Sequence, residues 1–226
     1  MNKRSFSMNK VKFLLTYRYA EIIHDLVIAF TKSYLLGRLS NLKGKPDYRQ
    51  ADQLNQAARS GKQNIVEGVG QAQTSKSGEI KLLGVAKASF EELLMDFEDF
   101  LRQNDLEIYP KSSAKITAFR KTAYRLSDLR NLSDLGNLKE KPQLPGNPSE
   151  DANFLLTLCH LETYLLVRQI KTAIAKFAKE GGLNEKLYDM RKKPGDIKFR
   201  PVLSDLSSLS FSRYFDGELY SNGPYL

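Results

Sequence analysis

Residues 79–104 read EIKLLGVAKASFEELLMDFEDFLRQN. Leu83, Ala86, Phe90, Leu93, Phe97 and Phe100 recur at steps of three and four, the period that returns side chains to one face of an α-helix. The opposite face carries Glu91, Glu92, Asp96 and Asp99. A helix of this length with one apolar stripe must lay that stripe on another element. Thr74 or Ser75 just upstream offers a hydroxyl to the free amides of the first turn, and Pro110 closes the region.

The preceding stretch, YRQADQLNQAARSGKQNIVEGVGQAQ (48–73), supplies the surface that stripe needs. Leu54, Ala58, Gly61, Ile65, Gly68 or Val69, and Ala72 repeat at near-heptad spacing, which predicts one helix through three glycines. Each interior glycine costs about 1 kcal/mol relative to alanine, so close approach of a neighbouring helix backbone is expected at Ala58, Gly61, Ile65 and Gly68. Upstream, Ile23, Val27, Phe30 and Tyr34, broadened by Leu26, mark a first helix, ended by Gly44 and Pro46. Downstream, Ile116, Phe119, Ala123 and Leu126 mark a shorter one, capped by Ser112 or Ser113. The last long helix begins at PSEDANFLL, with Ser149 as the expected cap, and stops at Gly181 and Gly182. Its apolar face is wide (Phe154, Leu155, Leu158, Leu161, Leu165, Ile170, Ile174, Phe177), which implies burial on two sides and suits a bundle that also oligomerises. LNEKLYDMRKKPG adds one short basic helix.

No strand period persists. The pattern predicts an all-α chain: an antiparallel, up-down four-helix bundle over residues 21–195 with a short extra helix. An extension over 1–20, a mobile connection near 131–149 and an irregular tail over 196–226 complete the expected plan. The aromatic residues of that tail could dock on the body or on a partner.

The 226 residues carry a formal charge of +9, with 41% hydrophobic side chains and a single cysteine. No apolar run reaches the length of a membrane span, and Tyr17, Arg18 and Tyr19 interrupt the apolar N-terminal stretch, against a signal peptide. One cysteine excludes an internal disulfide and fits a cytoplasmic protein. The charge is unevenly spread: residues 88–110 hold one basic and seven acidic residues, net −6, and residues 111–141 hold eight basic and three acidic, net +5. Residues 168–200, which include Arg191, Lys192 and Lys193, have ten basic and four acidic, net +6. Two faces of opposite sign are expected.

RSGKQNIVEGVG (59–70) has the look of a phosphate loop but fails its chemistry. Gln56 stands where the first glycine of a P-loop is required and Gln63 where its Ser or Thr is required. Gly68 and Gly70 lack a third glycine and a preceding strand. His24, Cys159 and His160 are too few and badly placed for structural zinc. Neither Glu91 nor Glu92 has a histidine three residues on, as di-iron bundles need. No serine lies in a nucleophile motif. The expectation is a protein without catalysis, metal or cofactor. What remains is anion binding by cationic side chains: Arg59 and Lys62, Lys76 and Lys81, and the cluster Arg120, Lys121 and Arg125, contacting phosphate backbones of DNA or RNA without sequence preference. An acidic protein partner is the alternative occupant of the same cations.

QAARSGKQNIVEG (56–68), AKASFEELLMDFEDFLRQ (86–103) and GGLNEKLYDMRKK (181–193) resemble the four-helix-bundle suffix-domain proteins. These are similar to the small bundle proteins encoded in intervening sequences of 23S ribosomal RNA genes, where Asn-Ile-Ala-Glu-Gly stands in the place of Asn64-Ile65-Val66-Glu67-Gly68. They are similar also to the accessory variability determinant of diversity-generating retroelements. The resemblance covers roughly residues 20–195. It implies a helical bundle, a homo-oligomer (a pentamer), no catalysis, and nucleic acid with a reverse transcriptase as partners. The Leu-Ser-Asp-rich connection and the tail after 196 depart from it.

Overall fold

The computed structural model describes residues 11–37 and 46–192. The expected tail over 196–226, most of the N-terminal extension, and Lys193 lie outside the described residues. Among the described residues the chain is all-helical, with no strand and one isolated bridge between Leu132 and Leu138.

Helix α1 spans Leu15–Phe30 and runs on into a π-helical turn, Thr31–Leu36. It starts inside the stretch expected to be an extension. Thr16, Arg18, Tyr19 and Ala20 are buried, so the Tyr-Arg-Tyr interruption belongs to the core. Arg18 is accommodated because its guanidinium donates to Glu21 and to the backbone carbonyls of Lys12 and Gly136. Burial makes those bonds obligatory, since an unpaired charge there costs several kcal/mol. Those bonds tie down the connection between the later helices: Leu132 is buried, and Gly136 adopts φ +72° where a Cβ would meet Lys12 at 2.9 Å.

Helix α2, Tyr48–Gln71, is capped by Asp47, whose carboxylate accepts from the Gln50 amide. Helix α3, Lys76–Gln103, is capped by Ser75, and α4, Ala114–Ser127, by Ser113. Helix α5, Pro148–Glu180, is capped by Asn147 and not by Ser149, because Pro148 already occupies its first turn. Gly181, at φ +67°, ends it, and α6, Leu183–Lys192, follows.

The apolar stripes set the packing. Helix α2 packs on α1 and α3, α3 on α5, and α5 back on α1. Leu83, Ala86, Phe90, Leu93, Phe97 and Phe100 are all buried. Phe30 of α1 meets Phe97 and Phe100 edge-on at centroid distances of 5.2 and 4.9 Å, a geometry that aromatic quadrupoles favour. Thr16 bonds Gln169 at one end of the α1–α5 contact and Tyr34 bonds Asp151 at the other, so these helices run antiparallel. Helix α4 lies on α5 and α1. Its Lys115 pairs with Glu150 and its Phe119 with Phe154, so α4 and α5 run in the same direction. Helix α4 therefore covers the second apolar side of the first half of α5 from within the chain, whereas Ile174, toward the end of the expected face, is exposed and Phe177 is only partly buried.

Candidate nucleic-acid interface

The small-residue stripe of α2 faces α3. Ala58, Gly61, Ile65 and Gly68 are buried. A Cβ at Gly61 would lie 2.6 Å from the Phe90 ring, and one at Gly68 would lie 3.3 Å from Leu82 Cβ and 3.4 Å from the Glu79 carbonyl oxygen. The expected backbone approach thus occurs at Gly68, whereas Gly61 makes room for an aromatic ring. Gly70 has nothing within 4 Å.

The seven cations sit on three helices and are not brought into one cluster. Arg59 is exposed on α2. Lys62 is turned toward α1, where its ammonium donates to His24 Nδ1 at 3.1 Å. Nearby, burial pushes the Glu21 carboxyl up, while Arg18 and Lys62 pull it down. Lys76 pairs with Glu79 at 3.3 Å, and Lys81 is exposed one turn further along α3. On α4, Arg125 is matched by Glu140. Arg120 and Lys121 have no carboxylate partner among the described residues.

Helix α4 contains no acidic residue. Its Arg120 is half-buried, with Nε shielded from solvent and unpaired among the described residues. There it acts on His160: burial first, then the positive charges of Lys111 and Arg120, push that imidazole below its ordinary value. From His160 the outward side of α5 continues through Tyr164, Arg168 and Lys171 at helical steps of four, four and three. The Arg168 guanidinium lies 5.9 Å from the Tyr164 ring centroid. Residues 163–179, TYLLVRQIKTAIAKFAK, contain no acid at all. Glu162, just before this run, is on the core side and fully buried.

Folding therefore joins Arg120 to a strip that sequence reasoning did not single out as a binding surface: Lys111, His160, Tyr164, Arg168 and Lys171. The acid-free run 163–179 was the available signal. Its meeting with α4 depends on a contact between helices distant in sequence. The acidic face stands on a different helix. Along α3, burial, then Glu92 and Asp99, push the Asp96 carboxyl up, as gathered like charges do, although Lys87 pairs with Glu91 and Arg102 with Asp99.

Among the described residues, no group of three or more His, Cys, Asp or Glu side chains could hold a metal ion, and no helix is long and apolar enough to cross a membrane. Cys159 is fully buried, and burial pushes its thiol up, away from the thiolate form that reacts. Comparisons with family models, with curated proteins and with solved structures give no match.

Proposed function

We propose that this chain is a non-catalytic, cytoplasmic four-helix bundle that holds nucleic acid by its phosphate backbone, without sequence preference. In this reading α1, α2, α3 and α5 form the bundle, and α4 is the extra helix that turns a plain bundle wall into a binding surface. The observation that carries the proposal is the junction of α4 with α5, where the positive charges of Lys111 and Arg120 bear on His160 and the acid-free strip of Tyr164, Arg168 and Lys171 continues from it. Cations along a helix with an aromatic between them can neutralise phosphates, and they release condensed counterions when they do. None of these side chains reads base edges from a recognition helix, so the contacts position the nucleic acid without specifying it.

The test is a titration of fluorescently labelled DNA and RNA at several salt concentrations. Affinity should fall steeply as salt rises, and Arg120→Ala or Lys121→Ala should each reduce the slope of log affinity against log salt by about one. No binding at about 50 mM salt sinks the proposal, because counterion release is strongest there. An acidic protein occupying the same strip would show the screening expected of ion pairs but no binding of free oligonucleotides.

A further inference from the structure

Phosphate contacts alone do not distinguish a single strand from a duplex, because both present the same backbone charge. Rings do distinguish them. Among the described residues a cation lies over a tyrosine ring at four places: Arg18 at 5.8 Å from the Tyr17 centroid, Lys115 at 4.6 Å from Tyr109, Lys192 at 4.5 Å from Tyr188 and Arg168 at 5.9 Å from Tyr164. The first three have a carboxylate at hand: Glu21 pairs with Arg18, Glu150 with Lys115, and Glu185 shares the short helix of Tyr188 and Lys192. Tyr164 and Arg168 stand in the run 163–179, which holds no acid. The Tyr164 ring is half-buried, which fixes it without enclosing it. Arg168 Nη1 donates to its hydroxyl at 3.5 Å, so ring and guanidinium form one platform.

Cations bracket this platform. The charges of Lys111 and Arg120 bear on His160, one turn before Tyr164, and Lys171 follows Arg168. Two features of the row favour an unpaired strand. A ring stacks on a base only where the face of that base is open, and inside a duplex each base is covered by its neighbours. The row is also straight: from His160 to Lys171 it runs about 16 Å at 1.5 Å per residue. A duplex strand turns once around its axis in about 34 Å, so over this length it swings about halfway to the far side. It meets a straight row only where the two cross, whereas an unpaired strand lies along it.

We propose that Tyr164, braced by Arg168, is a stacking platform that makes the strip a site for single-stranded nucleic acid, DNA or RNA, in preference to a duplex. A base lies on the Tyr164–Arg168 pair, and the phosphates on its two sides meet Lys171 and Arg120. This inference rests on the phosphate reading and adds to it an uncharged residue that sets which form of nucleic acid is held.

Fluorescence anisotropy of the full chain with labelled oligo(dT), and with the oligo(dA)·oligo(dT) duplex of the same length, tests it at about 50 mM salt. The single strand should bind about tenfold tighter or more. Tyr164→Leu should remove about tenfold of the single-strand affinity and leave duplex binding within about twofold. Its salt slope should stay unchanged, since no phosphate contact is lost. Tyr164→Phe keeps the ring and should keep the preference. Circular dichroism checks the fold of both variants, and the wild-type comparison decides alone if Tyr164→Leu does not fold. A wild-type chain that binds duplex as tightly as single strand overturns the proposal and leaves the phosphate reading standing. So does a folded Tyr164→Leu variant that loses both ligands equally, or a Tyr164→Phe variant no better than Tyr164→Leu. Binding to neither ligand overturns both.

Discussion

The two halves of α5 share one apolar period and have opposite surroundings. Every side chain from Asp151 to Cys159 is buried, whereas between Val167 and Glu180 only Ala173 is. The first half is enclosed from several directions: Tyr34 of the π-helical turn bonds Asp151, Phe119 of α4 meets Phe154 at 5.3 Å, and Asn153 bonds the Tyr109 amide and the Glu107 carbonyl. The second half has less beside it. Helix α4 ends at Ser127, and the antiparallel register sets Thr16, near the start of α1, against Gln169. An apolar stripe therefore states that a helix will be covered, but not by how many neighbours.

The comparison is most easily broken by deleting one apolar side chain from each half. Phe154→Ala should cost about 3–5 kcal/mol, the usual range for emptying a buried aromatic site. Ile174→Ala, at a position 48% exposed, should change stability by no more than about 0.5 kcal/mol, as surface substitutions do. Urea denaturation of the two variants measures both. Comparable losses would mean that the far half of α5 is covered in solution after all.

Glu162 marks the boundary between the halves. It is fully buried, neither carboxyl oxygen has a hydrogen-bond partner among the described residues, and burial pushes its carboxyl well above the ordinary range. Because the folded value exceeds the unfolded one of about 4.3, its contribution to stability is fully present below that pH and is lost as pH rises toward the folded value. Glu162→Gln should flatten this part of the stability–pH curve. Glu162→Leu should raise stability at neutral pH by about 1–3 kcal/mol, the cost of a buried unsatisfied polar group. A wild-type slope retained in Glu162→Gln would assign the pH dependence elsewhere.

At the other end of the buried half, the Tyr34 hydroxyl donates to Asp151 at 2.8 Å, and the Gly146 amide donates to the same carboxylate. Tyr34→Phe removes one of the donors to this carboxylate, leaving the Gly146 and Asn147 amides, and should cost about 1–2 kcal/mol, as hydrogen bonds to charged groups do. Thermal melts compare it with wild type. An unchanged melting temperature would show that Gly146 and the α5 N-terminus hold Asp151 without help.

Much of this architecture is written locally. The stripe from Leu83 to Phe100 and the caps at Ser75 and Ser113 follow from neighbours within a turn or two, and periodicity reads them. Arg18 does not, because what makes it a core residue is the carbonyl of Gly136, far along the chain. Asn147 was passed over because Ser149 has the same capping chemistry, and only Pro148 at the first turn decides between them. The wide face of α5 was visible, yet its cover by α4 was not, since parallel packing of α4 on α5 is a tertiary choice. The same holds for the candidate site. Arg120 stood out as part of a basic cluster, but its companions on α5 become neighbours only through that packing.

The exposed half of α5 has surface chemistry as its remaining role, and Lys171 isolates that role best. It is exposed, with no ion-pair partner among the described residues and no acid in the run around it. Lys171→Ala should leave stability within about 0.5 kcal/mol of wild type, with alanine's helix propensity offsetting what the lysine stem covered. If the strip meets phosphates, the same variant should lower the salt slope of oligonucleotide binding by about one. Unchanged stability together with a reduced slope separates the two halves of α5 by function: one half closes the core, and the other presents charge. A slope unchanged in Lys171→Ala but reduced in Arg120→Ala would confine the contact surface to α4 and its junction with His160.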